Sequence, residues 1–285
     1  MTVIRRMRAA AAALFVLCAA AGCAPPAGRY DAAAGSAGLS ERIVKGQRFH
    51  HKIFSNAHAV QNGALHVFIE GDTSVKQALR TSPPDPTPRR ALMLRMMQND
   101  AAAAIMLGRP CYHGLFAADK CAVRHLGPER YSEEVLASMH SVLQDEIRRS
   151  GARRAVLIGY SGGGTLAMLL AARTPATAAL VTLAGNLDNM ALTAHHHAPA
   201  LSGSLDPADL PPLARSMLQL HFFGARDKVA PAALAQKTLA RQNAEPVILQ
   251  DFDHECCWET VWPVIHPRIH AVLQQSPSAS GSYGR

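Results

Sequence analysis

The sequence predicts an α/β fold: a mainly parallel central sheet with helices on both faces. Three observations lead there. Short apolar runs, such as residues 64–70 and 179–184, alternate with stretches of helix formers, the order expected of parallel strands joined by crossover helices. The chain has 285 residues, 48% hydrophobic and 18% charged, which suits one large globular domain. Finally, Gly159-Tyr160-Ser161-Gly162-Gly163 stands between an apolar run at 155–158 and helix formers at 167–173. That is the spacing of a nucleophile elbow, a strand-to-helix turn so sharp that only glycine fits two residues to either side of the serine. It exposes the Ser161 hydroxyl and aims the Gly162 N–H toward a developing oxyanion.

The amino-terminal stretch stands apart from the fold. Arg5, Arg6 and Arg8 precede an apolar run of small residues at 9–21, too short to span a bilayer, so residues 1–22 read as a secretory signal. Ala20-Ala21-Gly22-Cys23 resembles a bacterial lipobox, with Ala20 where leucine is usual. The resemblance implies cleavage before Cys23, lipidation of Cys23 and a protein of the cell envelope, lipid-anchored to the membrane and facing the periplasm. Ordinary cleavage nearby is the alternative. Ala24 after the cysteine favours outer-membrane sorting. Removing the three arginines lowers the net charge from +8 to +5, and no basic cluster is interleaved with aromatics, so no nucleic-acid partner is expected.

Residues 23–42, rich in alanine, glycine and proline, read as a flexible tether to a domain spanning 43–275. Within it, 47–54 suits an edge strand and 64–70 a better one; 81–90 is irregular, 91–99 a short helix and 101–107 a buried strand. Residues 110–130 form a long loop, and Ser132-Glu133-Glu134 opens a helix running to Arg149, with Val135, Met139, Val142 and Leu143 on its buried face. Strands follow at 179–184, 218–223 and 246–249, with helices at 232–242 and 267–274 and a disordered tail at 276–285. The stretch 185–216 is too long for a routine link and is expected to form a lid or substrate wall using Leu187, Leu192 and Leu201.

Besides Cys18 and Cys23, the cysteines are Cys111, Cys121, Cys256 and Cys257, which allow three pairings. Cys111–Cys121 would close a short surface loop and is the expected disulfide. Cys256 and Cys257 remain open between a vicinal bridge, free thiols and pairing elsewhere. No C-x-x-C pair accompanies the 14 histidines, so no metal site is expected, and the run His195-His196-His197 reads as a solvated loop.

Four features together resemble the α/β-hydrolase fold enzymes: the elbow at 159–163, Gly224-Ala225-Arg226-Asp227 ahead of Pro231 after a strand, Asp253-His254 after the last strand, and the order Ser…Asp…His. The resemblance covers roughly residues 47–273. It implies Ser161 as nucleophile, His254 as general base and then acid, and Asp227 as the acid that orients it, with no cofactor. The oxyanion hole would use the N–H of Gly162 and that of Asp72, with Gly71 allowing close approach and the Asp72 carboxylate pointing away. Asp188 is the alternative acid; Asp251 and Asp253 are the competitors for His254, and a helix cap is the other reading of Asp227. The implied function is hydrolysis of a small-molecule or lipid-like carboxylic ester or thioester. The alternatives are a serine peptidase or amidase, and a non-catalytic lipoprotein that keeps the scaffold.

Overall fold

The computed structural model describes residues 24–275. The expected signal at 1–22, lipidation at Cys23 and the tail at 276–285 lie outside the described residues. Eight strands, β1 (Ser40–Lys45), β2 (His50–Ser55), β3 (Ala64–Ile69), β4 (Ala104–Leu107), β5 (Arg154–Tyr160), β6 (Thr177–Leu183), β7 (Leu218–Gly224) and β8 (Pro246–Leu249), form one sheet in the order β1-β2-β4-β3-β5-β6-β7-β8. β2 runs antiparallel to β1 and β4, and the other neighbours are parallel. The helices are α1 (Pro26–Ser36), α2 (Val75–Ala78), α3 (Leu92–Gln98), α4 (Glu133–Ser150), α5 (Gly162–Ala171), α6 (Asn189–His195), α7 (Ala232–Gln242) and α8 (Trp262–Gln275).

The period-two alternation of each strand sends its side chains into two separate cores. Leu65, Val67 and Ile69 of β3 pack with Met139 and Leu143 of α4 and Leu166 of α5. Phe68 of the same strand joins Met93 and Met97 of α3 and Ile265 and Ile269 of α8 on the opposite face. With both faces covered, all six β3 residues are buried, so apolar runs rather than alternation mark the central strands. Trp258 and Trp262 belong to the second core.

Three expectations are corrected. The presumed tether is structured: α1 buries Ala27, Tyr30 and Ala34, and the following β1, not 47–54, forms the sheet's edge. Alanine-rich composition suggests a floppy linker, yet alanine is the best helix former, and an i, i+3, i+7 stripe gives this helix a face to bury. The last helix starts at Trp262 and carries Pro267 inside it, so the proline does not mark its beginning. Packing of Ile265 and Ile269 outweighs the lost backbone hydrogen bond. Finally, residues 185–216 fold onto the body. Leu187 is 1% exposed, Leu201 packs on the first core, and the Asn189 side-chain amide donates to the Leu205 carbonyl at 2.8 Å.

The α1 contact reaches a titratable group. The Tyr30 hydroxyl donates to Glu70 Oε1 at 2.9 Å, and the Met93 N–H donates to the same oxygen at 2.9 Å. Glu70 is 3% exposed. Burial pushes its pKa up, the hydrogen bonds only partly offset that, and the result is about 7. In the unfolded chain the group titrates near about 4.3. The folded state therefore holds the proton to higher pH, and the stability tied to neutral Glu70 is lost as pH rises through the folded value. Between about pH 4 and pH 8 the wild type should lose roughly 3 kcal/mol of unfolding free energy relative to Glu70→Gln. Denaturant titrations at several pH values check this, and a difference independent of pH would contradict it.

Candidate active site

β5 hands the chain to α5 through Ser161, whose backbone sits at φ 52° and ψ −122°. A non-glycine residue there is strained, and such strain survives only where its surroundings enforce it. The Ser161 N–H donates to the Leu183 carbonyl at 2.9 Å, while the Gly164 N–H donates to the Ser161 carbonyl at 2.9 Å. A Cβ at Gly159 would strike the Gly163 backbone, and one at Gly163 would strike the carbonyls of Ile69 and Glu70. Both glycines of the motif are thus required by contact.

Asp227 follows β7 and His254 follows β8, both beyond the carboxyl ends of their strands, where Ser161 also lies. His254 Nε2 is 3.0 Å from Ser161 Oγ, and its Nδ1 is 2.9 Å from Asp227 Oδ2. The other Asp227 oxygen accepts the Val229 and Ala230 N–H groups at 2.8 and 2.9 Å. Burial works to raise the Asp227 pKa, but the hydrogen bond and charge of His254, with those two N–H donors, bring it below the usual carboxylate value. The ionised carboxylate fixes His254 with its proton on Nδ1, leaving Nε2 free to accept from the serine. On the other side, the His254 carbonyl accepts from the Tyr160 hydroxyl at 2.7 Å and the Trp258 indole at 2.9 Å. Those two braces were not expected from the sequence.

The competing acids are occupied elsewhere. Asp188 caps α6 by accepting the Ala191 N–H at 2.8 Å. Asp253 accepts N–H groups of Glu255 and Cys256, and the Asp251 side chain is 93% exposed. His195 and His196, at the end of α6, donate from Nε2 to the carbonyls of Lys228 and Val229 at 3.4 and 2.7 Å, bracing the loop that carries Asp227. Among the described residues the one group with metal-ligand spacing is Cys111, Cys121 and His125. Its sulfurs are joined in the expected Cys111–Cys121 disulfide. Cys256 and Cys257 form a vicinal bridge just after His254.

The oxyanion side departs from expectation in one respect. Gly71 lies against the elbow: a Cβ there would be 3.1 Å from that of Ser161. Gly162 opens α5, so its N–H has no acceptor within the helix. The Asp72 carboxylate, however, does not point away. It lies beside Gly162, where a Cβ would strike it, and it binds Arg109, Arg130 and the Tyr131 hydroxyl. Burial would raise its pKa, but the two guanidinium charges dominate and hold it at about 2. Two cations around one anion leave a positive balance beside the elbow. The placement of Arg109 just after β4, at the carboxyl end of a central strand, was the signal available in the sequence.

A cavity of about 420 Å³ opens at this rim, lined by Gly71, Asp72, Tyr160, residues 88–90 and Glu255, among others, and by nothing from 185–216. The expected wall from 185–216 therefore does not border this cavity, whose sides come mainly from the segment after β3 and from 88–95. A larger cavity of about 710 Å³ lies against the amino ends of β7 and β8, remote from this chemistry.

No protein-family model matches the chain, and no curated protein matches it. Solved structures do. A protein from Klebsiella pneumoniae subsp. pneumoniae assigned as a dienelactone hydrolase is 20% identical with a TM-score of 0.56, covering 84% of this chain and 98% of its own. A bacterial membrane phospholipase A is 16% identical with a TM-score of 0.55, covering 95% of this chain and 100% of its own. A puromycin hydrolase is 15% identical with a TM-score of 0.56, covering 83% of this chain but 39% of its own. At these identities the likeness is one of fold.

Proposed function

The chain has an α/β-hydrolase fold, and from that premise we propose that it is a serine hydrolase cleaving carboxylic esters or thioesters through an acyl-enzyme on Ser161. The observation carrying this reading is the continuous relay from Ser161 Oγ to His254 Nε2 at 3.0 Å and from His254 Nδ1 to Asp227 at 2.9 Å. Ser161 Oγ attacks the carbonyl carbon as His254 takes its proton, and the carbonyl oxygen becomes an oxyanion facing the N–H groups of Gly162 and Asp72. Collapse of the tetrahedral intermediate breaks the bond to the alkoxide or thiolate, which takes the proton from the His254 imidazolium. Water, deprotonated by His254, then attacks the acyl carbon; the proton returns to Ser161 Oγ and the acid is released. Asp227 remains ionised throughout, and no cofactor is consumed.

A fluorophosphonate probe should label the wild type on Ser161, and Ser161→Ala should not react. A folded wild type inert to the probe would defeat the reading.

The proposal extends to location. The arginines at 5–8, the apolar run 9–21 and the lipobox-like Ala20–Cys23 support export and anchoring to an envelope membrane through lipid on Cys23. Among the described residues no helix is long and apolar enough to cross a membrane. Cys23→Ala should move the protein from the membrane pellet to the soluble fraction, and unchanged sedimentation would count against the anchor.

A further inference from the structure

We infer that the cavity beside the elbow receives a negatively charged group of the substrate, a carboxylate or a phosphate monoester, through Arg89, Arg90 and Arg95. The inference rests on the hydrolase reading of Ser161 and adds a substrate class to it. Arg89, Arg90 and Arg95 line the same cavity as Gly71, which packs against Ser161, and Tyr160, which precedes Ser161 in the chain. The cavity also has acids on its wall, and their partners decide its character. The Asp72 carboxylate is engaged by Arg109, Arg130 and Tyr131. Glu70 Oε1 is taken by the Tyr30 hydroxyl and the Met93 N–H, and its raised pKa leaves it partly neutral near pH 7.

Of the acids lining the cavity that leaves Glu255, which faces Arg90. It pairs with Arg90 at 2.8 Å, with side chains 68% and 63% exposed, a geometry that contributes little and yields easily to a competing anion. Arg95 reaches Glu259 at 3.3 Å, again at the surface. Arg89 is exposed and has no ion pair among the described residues. A wall with three arginines, one uncommitted and two held by weak surface pairs, fits an oxyanion with fork-like hydrogen bonds. A neutral or cationic group would leave those donors unmatched.

Two pairs of esters test this. Mono-p-nitrophenyl succinate against its methyl ester places the charge on the acyl half. Butyryl-glycerol 3-phosphate against butyrylglycerol places a phosphate on the alcohol half. In at least one pair kcat/KM should favour the anion by about tenfold. The preference should fall with added salt. In Arg89→Gln/Arg90→Gln, whose replaced side chains are exposed, the ratio should shrink to within about twofold. The pair that responds identifies carboxylate or phosphate as the recognised group.

Equal rates within both pairs, or a preference that survives the double substitution, would overturn the inference. Calorimetric titration of Ser161→Ala with succinate and with glycerol 3-phosphate supplies an arm independent of turnover. Binding weakened about tenfold by the arginine substitutions supports the site even if the hydrolase reading fails. Absence of binding by both anions counts against it.

Discussion

Ser161→Ala is expected to lower kcat by about 10⁶-fold while leaving the protein folded. The serine hydroxyl is the only nucleophile on the relay, and its removal leaves just the contribution of substrate binding and oxyanion donors, together worth about 10³–10⁴ over water. Stability should hold or rise, because alanine escapes little of the backbone constraint at φ 52° but also forfeits no core contact. Asp227→Asn completes the test from the other end. It preserves shape, yet an amide nitrogen facing Nδ1 favours the wrong imidazole tautomer, and kcat should fall by about 10⁴-fold. If Ser161→Ala retained a rate within about tenfold of wild type under single-turnover conditions, catalysis would have to lie elsewhere.

Asp72→Asn should damage both stability and rate, by separable routes. Arg109 is 2% exposed, its Nε has no hydrogen-bond partner among the described residues, and Asp72 is the carboxylate that balances it. Leaving that charge unpaired costs about 3–5 kcal/mol. The same carboxylate anchors the turn proposed to supply the second oxyanion donor, so kcat should also drop by about 10²-fold with little change in KM. Adding Arg109→Met to Asp72→Asn removes the stranded charge and should recover most of the thermal stability without recovering kcat. Joint recovery of both would mean that Asp72 acts only through folding.

These contrasts follow a divide in what the sequence could reveal. Ser161 was legible because its glycines are local and their spacing has one steric meaning. Asp227 and His254 were legible because each follows a recognisable apolar run, and parallel strands bring such positions to one rim. The Asp72 environment was not, since Arg109 and Arg130 arrive from loops 37 and 58 residues away, and pairing between side chains leaves no mark on periodicity. The apparent length of the 185–216 insertion was legible, but its direction was not. Whether a long segment roofs a site or folds back depends on contacts such as Asn189 with the Leu205 carbonyl. At the amino end, composition pointed to slack chain, whereas the 27, 30, 34 spacing of buried side chains was the better guide.

With α1 docked from Pro26 onward, a lipid on Cys23 would be joined to the folded body by a leash of roughly 10 Å. So short a leash would hold the folded body close against the bilayer and restrict its tumbling. The enzyme would work as a fixture flush with the bilayer, harvesting molecules that pass along that surface, and the pose of one small helix would decide which way its mouth faces.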